Sequence, residues 1–285
     1  MKLKLSIAFA ICIAVTGCAS LIDRATGKFA NQLSAAILNT NDPATIRDGL
    51  PAYLILLDAM IEGEPNSVDT LLAAANLNGA YSGNFVASED ASRKQRLAAK
   101  AMSYARRAVC VEQLALCEAL TRDPQSFEIA LAKISDREIK LFYGLASAWS
   151  GYIQAYRDDW DAIADLPKLE AVLNRVVAID PNYQQGMPLV YLGVLNSLRP
   201  EAIGGQPEKG RAYFERAWEI SGQRNLFAKT LQAEFNARLL FDQKQHDALL
   251  QDVIAADPIA SGFTLMNTLA QQRAVQLLES GKDYF

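Results

Sequence analysis

The sequence predicts an all-α protein, and three observations support this prediction. Apolar residues recur at the helical spacing of three and four along most of the chain. No segment shows the alternation of apolar and polar residues that is typical of a strand. Hydrophobic residues make up 51% of the 285 positions, which is enough to bury a large core in one extended domain or two compact ones.

The first 17 residues, MKLKLSIAFAICIAVTG, predict a signal peptide, because two lysines precede an apolar run and then small residues. The apolar run is shorter than the roughly 20 residues that a spanning helix needs. Val15-Thr16-Gly17-Cys18 resembles the lipobox of bacterial lipoproteins, in which the signal is cut before the cysteine and that cysteine is acylated. We therefore expect lipid attachment at Cys18. An ordinary signal peptide that happens to contain a cysteine is the alternative.

Cleavage before Cys18 would leave a net charge of −6, because the signal removes two of the 28 basic residues and none of the 32 acidic ones. Such an acidic balance argues against a nucleic-acid partner. One acyl chain alone gives only marginal anchoring, so a permanent tether requires several chains on Cys18. In Gram-negative lipoproteins, an aspartate directly after the acylated cysteine keeps the protein in the inner membrane. This chain has Ala19 there, which resembles lipoproteins that are sorted to the outer membrane. We expect a periplasmic body attached to the outer membrane.

Of the four cysteines, Cys12 leaves with the signal and Cys18 is expected to be acylated. Cys110 and Cys117 therefore remain as a pair in what would be an oxidising compartment. On one straight helix they would lie about 10.5 Å apart along the axis, which is beyond the reach of a disulfide. A bridge therefore requires a turn within VCVEQLALC. A disulfide that joins two helices and a pair of buried free thiols are both open at this point.

Helical segments succeed one another through the body. RDGLPAYLILLDAMIEGEP places five residues on one face and ends at a Gly and a Pro: Leu50, Tyr53, Leu54, Leu57 and Ile61. SVDTLLAAANLNGAYSGNFV has alanines and glycines that allow close helix packing, and ASRKQRLAAKAMSYARRAVC has basic residues on its outer face. Further helices are predicted in PQSFEIALAKI, REIKLFYGLASAWSGYIQAYRDD, LPKLEAVLNRVVAID, GMPLVYLGVLNSL, PEKGRAYFERAWEIS, NLFAKTLQAEFNARLLFDQ, DALLQDVIAAD and SGFTLMNTLAQQRAVQLLES.

Some of these helices have tetratricopeptide features. AVLNRVVAIDP and ALLQDVIAADP both end in an acidic residue and proline, and GRAYFERAWEIS has the small-x3-Phe-x2-Ala spacing of a second repeat helix. The loop RPEAIGGQP makes the repeat around Leu192-Gly193 and Gly210 longer than usual. We predict degenerate tetratricopeptide-like hairpins packed into a compact superhelical solenoid over residues 43–285, after a signal peptide at 1–17 and a tether with a first helix at 18–42. An irregular helical bundle is the alternative.

Catalytic groups are scarce. His246 is the only histidine, so clusters of imidazole ligands and most histidine-based hydrolytic sites are excluded. Its position at a turn predicts a surface residue. The carboxylates between Asp158 and Asp165 are expected to cap helices, and Gly204-Gly205 lacks the residue order of a phosphate loop. We predict no catalytic residue, no metal site and no cofactor.

Three long segments of the chain resemble segments of one protein family, and they follow one another in the same order with similar loops. They are RDGLPAYLILLDAMIEGEPNSVDTLLAAANLNGAYSGNFV, SAWSGYIQAYRDDWDAIADLPKLEAVLNRVVAIDPNY and HDALLQDVIAADPIASGFTLMNTLAQQRAVQLLESGKDYF. From about Ile46 to Phe285 the chain resembles the T component of tripartite ATP-independent periplasmic (TRAP) transporters, the TatT family. The resemblance implies a lipoprotein that associates with the periplasmic solute-binding subunit. It also implies a channel or pore in the helical body that would present a hydrophobic ligand. The family is not known as an enzyme.

Candidate binding residues rest on side-chain character, because no family motif of ligand contacts can be transferred. Two aromatic stripes would line an apolar pocket with a few amides, and Asn225 and Lys229 would form its polar mouth. Core packing of the stripes and a capped, solvated helix start are the alternatives. The stripes consist of Asn78, Tyr81, Asn84 and Phe85 in the first and Trp149, Tyr152, Tyr156 and Trp160 in the second.

Two other functions stay open at this stage. A lipidated tetratricopeptide protein would also serve as a general scaffold in outer-membrane assembly, with a peptide-binding groove and a β-barrel partner. A periplasmic enzyme is disfavoured by the missing catalytic groups. The resemblance favours the TRAP accessory protein.

Overall fold

The computed structural model describes residues 32–87 and 89–285. The predicted signal peptide, Cys18 and the first part of the tether lie outside the described residues. None of the described residues lies in a strand, and the all-α prediction is confirmed. The tetratricopeptide-like packing is compatible with this helix order and stays a prediction. In the same part of the chain, no helix has the length and apolar character needed to cross a bilayer.

A helical segment at residues 32–38 precedes thirteen α-helices. They are α1 Pro43–Gly63, α2 Val68–Asn84, α3 Ala91–Glu112, α4 Leu114–Ala119, α5 Pro124–Ala132, α6 Ile139–Ala155, α7 Trp160–Ala164, α8 Leu166–Ile179, α9 Met187–Asn196, α10 Pro207–Ile220, α11 Leu226–Leu231, α12 Gln243–Ala255 and α13 Thr264–Tyr284. A π-helical segment, Gln232–Ala237, continues α11.

Short polar side chains begin many of these helices by accepting hydrogen bonds from otherwise unsatisfied backbone N–H groups. Asp42 accepts from Ala44 and Thr45 at the start of α1. Asp159 does the same for α7, as the sequence predicts for the acidic stretch there. The other side-chain caps of α-helices are Asp90, Asp123, Asn225 and Asp242.

The main core lies where α2, α3, α6, α8, α9 and α10 pack together. Small residues let these helices approach closely, and a Cβ on Gly144 of α6 would lie 2.7 Å from the Leu72 side chain of α2. Ala101, Ala105 and Ala108 of α3 are fully buried. The alanine and glycine content of this region therefore has a packing reason.

A break in the helix allows the two cysteines to meet. α3 ends at Glu112, Gln113 has a non-helical backbone, and α4 begins at Leu114. Cys110 and Cys117 form a disulfide with their Cα atoms 4.7 Å apart. The bond therefore joins two helices across a turn within VCVEQLALC.

The two ends of the helical body are in contact. The backbone N–H of Gly262, just before α13, donates to Asn39 Oδ1 over 2.8 Å, and α13 also contacts α1. A Cβ on Gly262 would lie 3.1 Å from the Gln185 amide. The first, middle and last parts of the described chain thus meet at one place.

The prediction that His246 is a surface residue is wrong, because its ring is completely buried. The last helix covers it: its ring centroid lies 5.1 Å from that of Phe285, and a Cβ on Gly281 would approach it to 2.9 Å. Arg238 Nε donates to His246 Nε2 over 3.3 Å, and Nδ1 lies 2.8 Å from Asp247 Oδ1. His246 therefore helps to fix α13 against α12, which a local sequence pattern does not reveal.

Candidate functional site

A surface pocket of about 460 Å³ lies where the end of α10, the start of α11 and the end of α12 meet. Its volume lies within the range of sites for small organic molecules. The lining residues used below are Trp218, Arg224, Leu226, Lys229, Asp252 and Ile259. The pocket therefore combines apolar surface with charges of both signs.

Lys229 is held in a fixed position on one wall. Its ammonium lies 4.6 Å from the centroid of the Trp218 ring, which is a favourable cation–π distance. The same ammonium donates to Asp252 Oδ2 over 2.9 Å. Three different helices thus supply one preorganised group of an indole, a cation and a carboxylate.

Arg224 provides the second cation of the pocket. Its Nε donates to the Ser221 carbonyl over 2.9 Å, and its guanidinium lies 5.6 Å from the Phe263 ring centroid. The buried Leu226 side chain and the exposed Ile259 add apolar surface to the lining. This arrangement suits a small amphipathic molecule with an apolar part and a charged or polar end.

Asn225, predicted for the mouth of a pocket, lies beneath the surface. Its Oδ1 accepts from the Ala228 N–H over 3.2 Å as the cap of α11, and its Nδ2 contacts Met187 Sδ at 3.5 Å. Asn225 therefore fixes the start of the helix whose next turn presents Lys229. Of the ten sequence-predicted binding residues, Lys229 is the one that lines this pocket.

The first aromatic stripe packs beneath α1. Tyr81 is buried in a small cluster with Leu50 and Leu54 of α1, and its ring centroid lies 5.8 Å from that of Phe85. Asn78 is fully buried and donates to the Ala74 carbonyl, while its Oδ1 has no hydrogen-bond partner among the described residues. The exposed Asn84 donates to the Ala80 carbonyl. These four residues do not converge on the pocket.

The second stripe divides between core and surface. The Trp149 side chain is 1% exposed and packs edge to face with Phe127 at a centroid distance of 5.9 Å. Tyr152 and Tyr156 are half-buried, with ring centroids 4.6 Å apart. Burial raises the pKa of Tyr152. Trp160 is 82% exposed at the start of α7. The stripe does not form one continuous surface.

The sequence interpretation missed a tyrosine cluster near the contact between the chain ends. Tyr143 has ring centroid distances of 5.4 Å to Tyr183 and 6.4 Å to Tyr191, and burial raises the pKa of Tyr143 and Tyr191. Gln184 and Gln185 follow with positive φ values of 48° and 55°, a left-handed conformation that is uncommon for residues other than glycine. The stretch YQQG contains only Tyr183 of this cluster. Because Tyr143 comes from α6 and Tyr191 from α9, the local sequence gives little indication that the three rings meet.

Comparison with known families agrees with the resemblance. The model of the family described as TRAP transporter T-component (TAtT) matches residues 39–285. No protein with a curated function matches the chain at a significant level. Because the family model spans well over half of the sequence and all thirteen helices, the chain belongs to the TRAP transporter T-component family.

Proposed function

We propose that this protein is a periplasmic accessory protein, tethered to the outer membrane through acylated Cys18, that binds the solute-binding subunit of a TRAP transport system. The observation that supports this most strongly is the family match over residues 39–285. The predicted signal peptide and the lipobox-like Val15-Thr16-Gly17-Cys18 stretch support the tether. The protein acts in binding and transport and not as an enzyme.

The proposed ligand role rests on two features. The pocket formed by Trp218, Lys229 and the end of α12 has the size and mixed character that an amphipathic small molecule requires. The second feature is the resemblance to the T-component family, which implies a pore in the helical body. In this proposal the pocket receives a hydrophobic or amphipathic ligand, and the pore presents it to the solute-binding subunit.

Binding of the purified solute-binding subunit of the same transport system tests the partner. We expect a saturable complex between this subunit and the mature protein by isothermal titration calorimetry and by size-exclusion chromatography with light scattering. A solute-binding protein from an unrelated uptake system is the control. The absence of a complex when both proteins are present at tens of micromolar would contradict the proposal.

Native mass spectrometry of the protein purified from its own bacterium tests the ligand. We expect a bound small molecule whose occupancy falls when Trp218 is replaced by Ala, and unchanged occupancy when the exposed Trp160 is replaced by Ala. Equal occupancy in the two variants would place the ligand elsewhere.

Cell fractionation tests the tether. Cys18→Ala would release the protein into the soluble periplasm, because the acyl chains would be lost. Unchanged membrane association of this variant would contradict lipidation at Cys18.

Co-purification of partners tests the alternative function. Recovery of outer-membrane assembly components, in place of a solute-binding subunit, would favour the general scaffold.

A further inference from the structure

The outer face of α1 is apolar although it is exposed to solvent. Ile55, Leu56 and Met60 are 70%, 53% and 43% exposed, and Ala52 and Ala59 lie beside them with exposed side chains. The five residues recur at spacings of three and four, so they form one continuous stripe along the helix. We call it the α1 stripe.

The α1 stripe differs from the outer faces of the other long helices. The outer face of α3 exposes Arg93, Arg96 and Arg106. That of α13 is mostly polar, with Val275 and the last residue of the helix, Tyr284, as its exposed apolar side chains. α1 is the first long helix among the described residues, and in the predicted tetratricopeptide-like packing a terminal helix needs a polar outer face for solubility. A continuous exposed apolar stripe on such a helix marks a surface that a partner covers.

The charges beside the stripe indicate the kind of partner. Asp58 is neutralised, because Lys100 forms an ion pair with it and the Tyr104 hydroxyl donates to it over 2.7 Å. Glu62 and Glu64 are exposed at the C-terminal end of the stripe and form no ion pair within the described residues. This end of the surface is therefore acidic.

The acidic end distinguishes between possible occupants. An anionic bilayer surface would be repelled by these acidic residues, and a second copy would be repelled where its α1 packs in parallel and brings the same residues together. A protein with an apolar patch and basic residues at its rim complements both the stripe and the charge.

We propose that the α1 stripe is the docking surface for the solute-binding subunit, which would present an apolar patch with lysine or arginine residues at its rim. This inference rests on the proposed function and specifies the surface that performs it. The mode is that of an amphipathic helix packed into an apolar groove, with Leu56 and Met60 as central contacts.

The test measures the affinity of full-length mature variants for the purified solute-binding subunit. The double variant Leu56→Glu/Met60→Glu should bind roughly 100-fold more weakly, since central apolar contacts dominate such interfaces. Val275→Glu is the control, because it places one glutamate on a comparably exposed apolar position of α13, and its affinity should change less than about twofold. Both positions of the double variant are exposed, so circular dichroism melting should match the wild type.

The charge requirement has its own variant. Glu62→Lys/Glu64→Lys should weaken binding about tenfold at low salt and less at high salt, because screening removes the electrostatic contribution. Unchanged binding by this variant would overturn the basic rim.

The outcomes separate this inference from the function on which it rests. If the wild type does not bind the subunit, the proposed function fails. If the wild type binds and Leu56→Glu/Met60→Glu binds equally well, the proposed function stands and the docking surface is overturned. Loss of self-association in that variant, without loss of subunit binding, would assign the stripe to a second copy. Loss of vesicle binding alone would assign it to lipid.

Discussion

Replacement of Trp149 by Ala tests whether the aromatic stripe of α6 belongs to the core or to a ligand site. The Trp149 side chain is 1% exposed and its ring packs edge to face with Phe127. Truncation of a buried large aromatic residue to alanine costs about 3–5 kcal/mol of unfolding free energy, of which the edge-to-face contact contributes roughly 0.5–1.5 kcal/mol. For a domain of this size, 1 kcal/mol lowers Tm by roughly 2–4 °C. Trp149→Ala should therefore lower Tm by about 6–20 °C.

Trp218→Ala is the matched comparison, because Trp218 is half-buried in the pocket lining. Its loss removes the cation–π contact with Lys229, which contributes about 0.5–1 kcal/mol at a partly exposed site. Trp218 also packs against the buried cluster around Leu226, but a half-buried side chain loses less apolar contact than a fully buried one. We therefore expect a smaller Tm decrease than for Trp149→Ala, together with weaker ligand binding. Thermal unfolding by circular dichroism and native mass spectrometry measure the two quantities on the same samples. A Trp149→Ala variant with nearly unchanged Tm and abolished ligand binding would refute the assignment of Trp149 to the core.

Two further predictions concern packing and pH. Gly193→Ala should destabilise the protein by about 1–3 kcal/mol in urea unfolding, because its Cβ would lie 2.9 Å from the Phe214 ring. Gly151→Ala, with no atom within 4 Å of its Cβ, should stabilise α6 by up to about 1 kcal/mol, and equal effects of the two substitutions would contradict this packing. Burial and the hydrogen bond to Asp58 raise the pKa of Tyr104 to about 12, so its contribution to stability is complete below its ordinary pKa of about 10 and is lost as the pH rises from there through 12. Asp58→Asn should lower the pKa of Tyr104 in an ultraviolet titration of tyrosinate, and an unchanged titration would exclude this interaction.

Local sequence patterns predicted the helical architecture well. The end of α1 near Gly63 and the cap at Asp159 follow from residue preferences over a few positions. The need for a turn between Cys110 and Cys117 follows from helix geometry alone, and Gln113 provides that turn. These features depend on residues close together in the chain.

Features that depend on distant residues were not accessible from these patterns. Trp218, Lys229 and Asp252 come from three helices, so no spacing in the chain indicates that they meet. His246 has the local surroundings of a surface residue and is buried because α13 packs over it. The exposure of the α1 stripe likewise depends on which side of α1 the rest of the body leaves uncovered.

Affinity purification of the tagged protein from its own bacterium, with Cys18 intact and in mild detergent, tests whether this protein works in a TRAP uptake system. We expect mass spectrometry to find a periplasmic solute-binding subunit in near-stoichiometric amount. Leu56→Glu/Met60→Glu should reduce its recovery, and Val275→Glu should not. Recovery of an outer-membrane barrel or assembly factors without any solute-binding subunit would contradict the assignment of this protein to a TRAP uptake system.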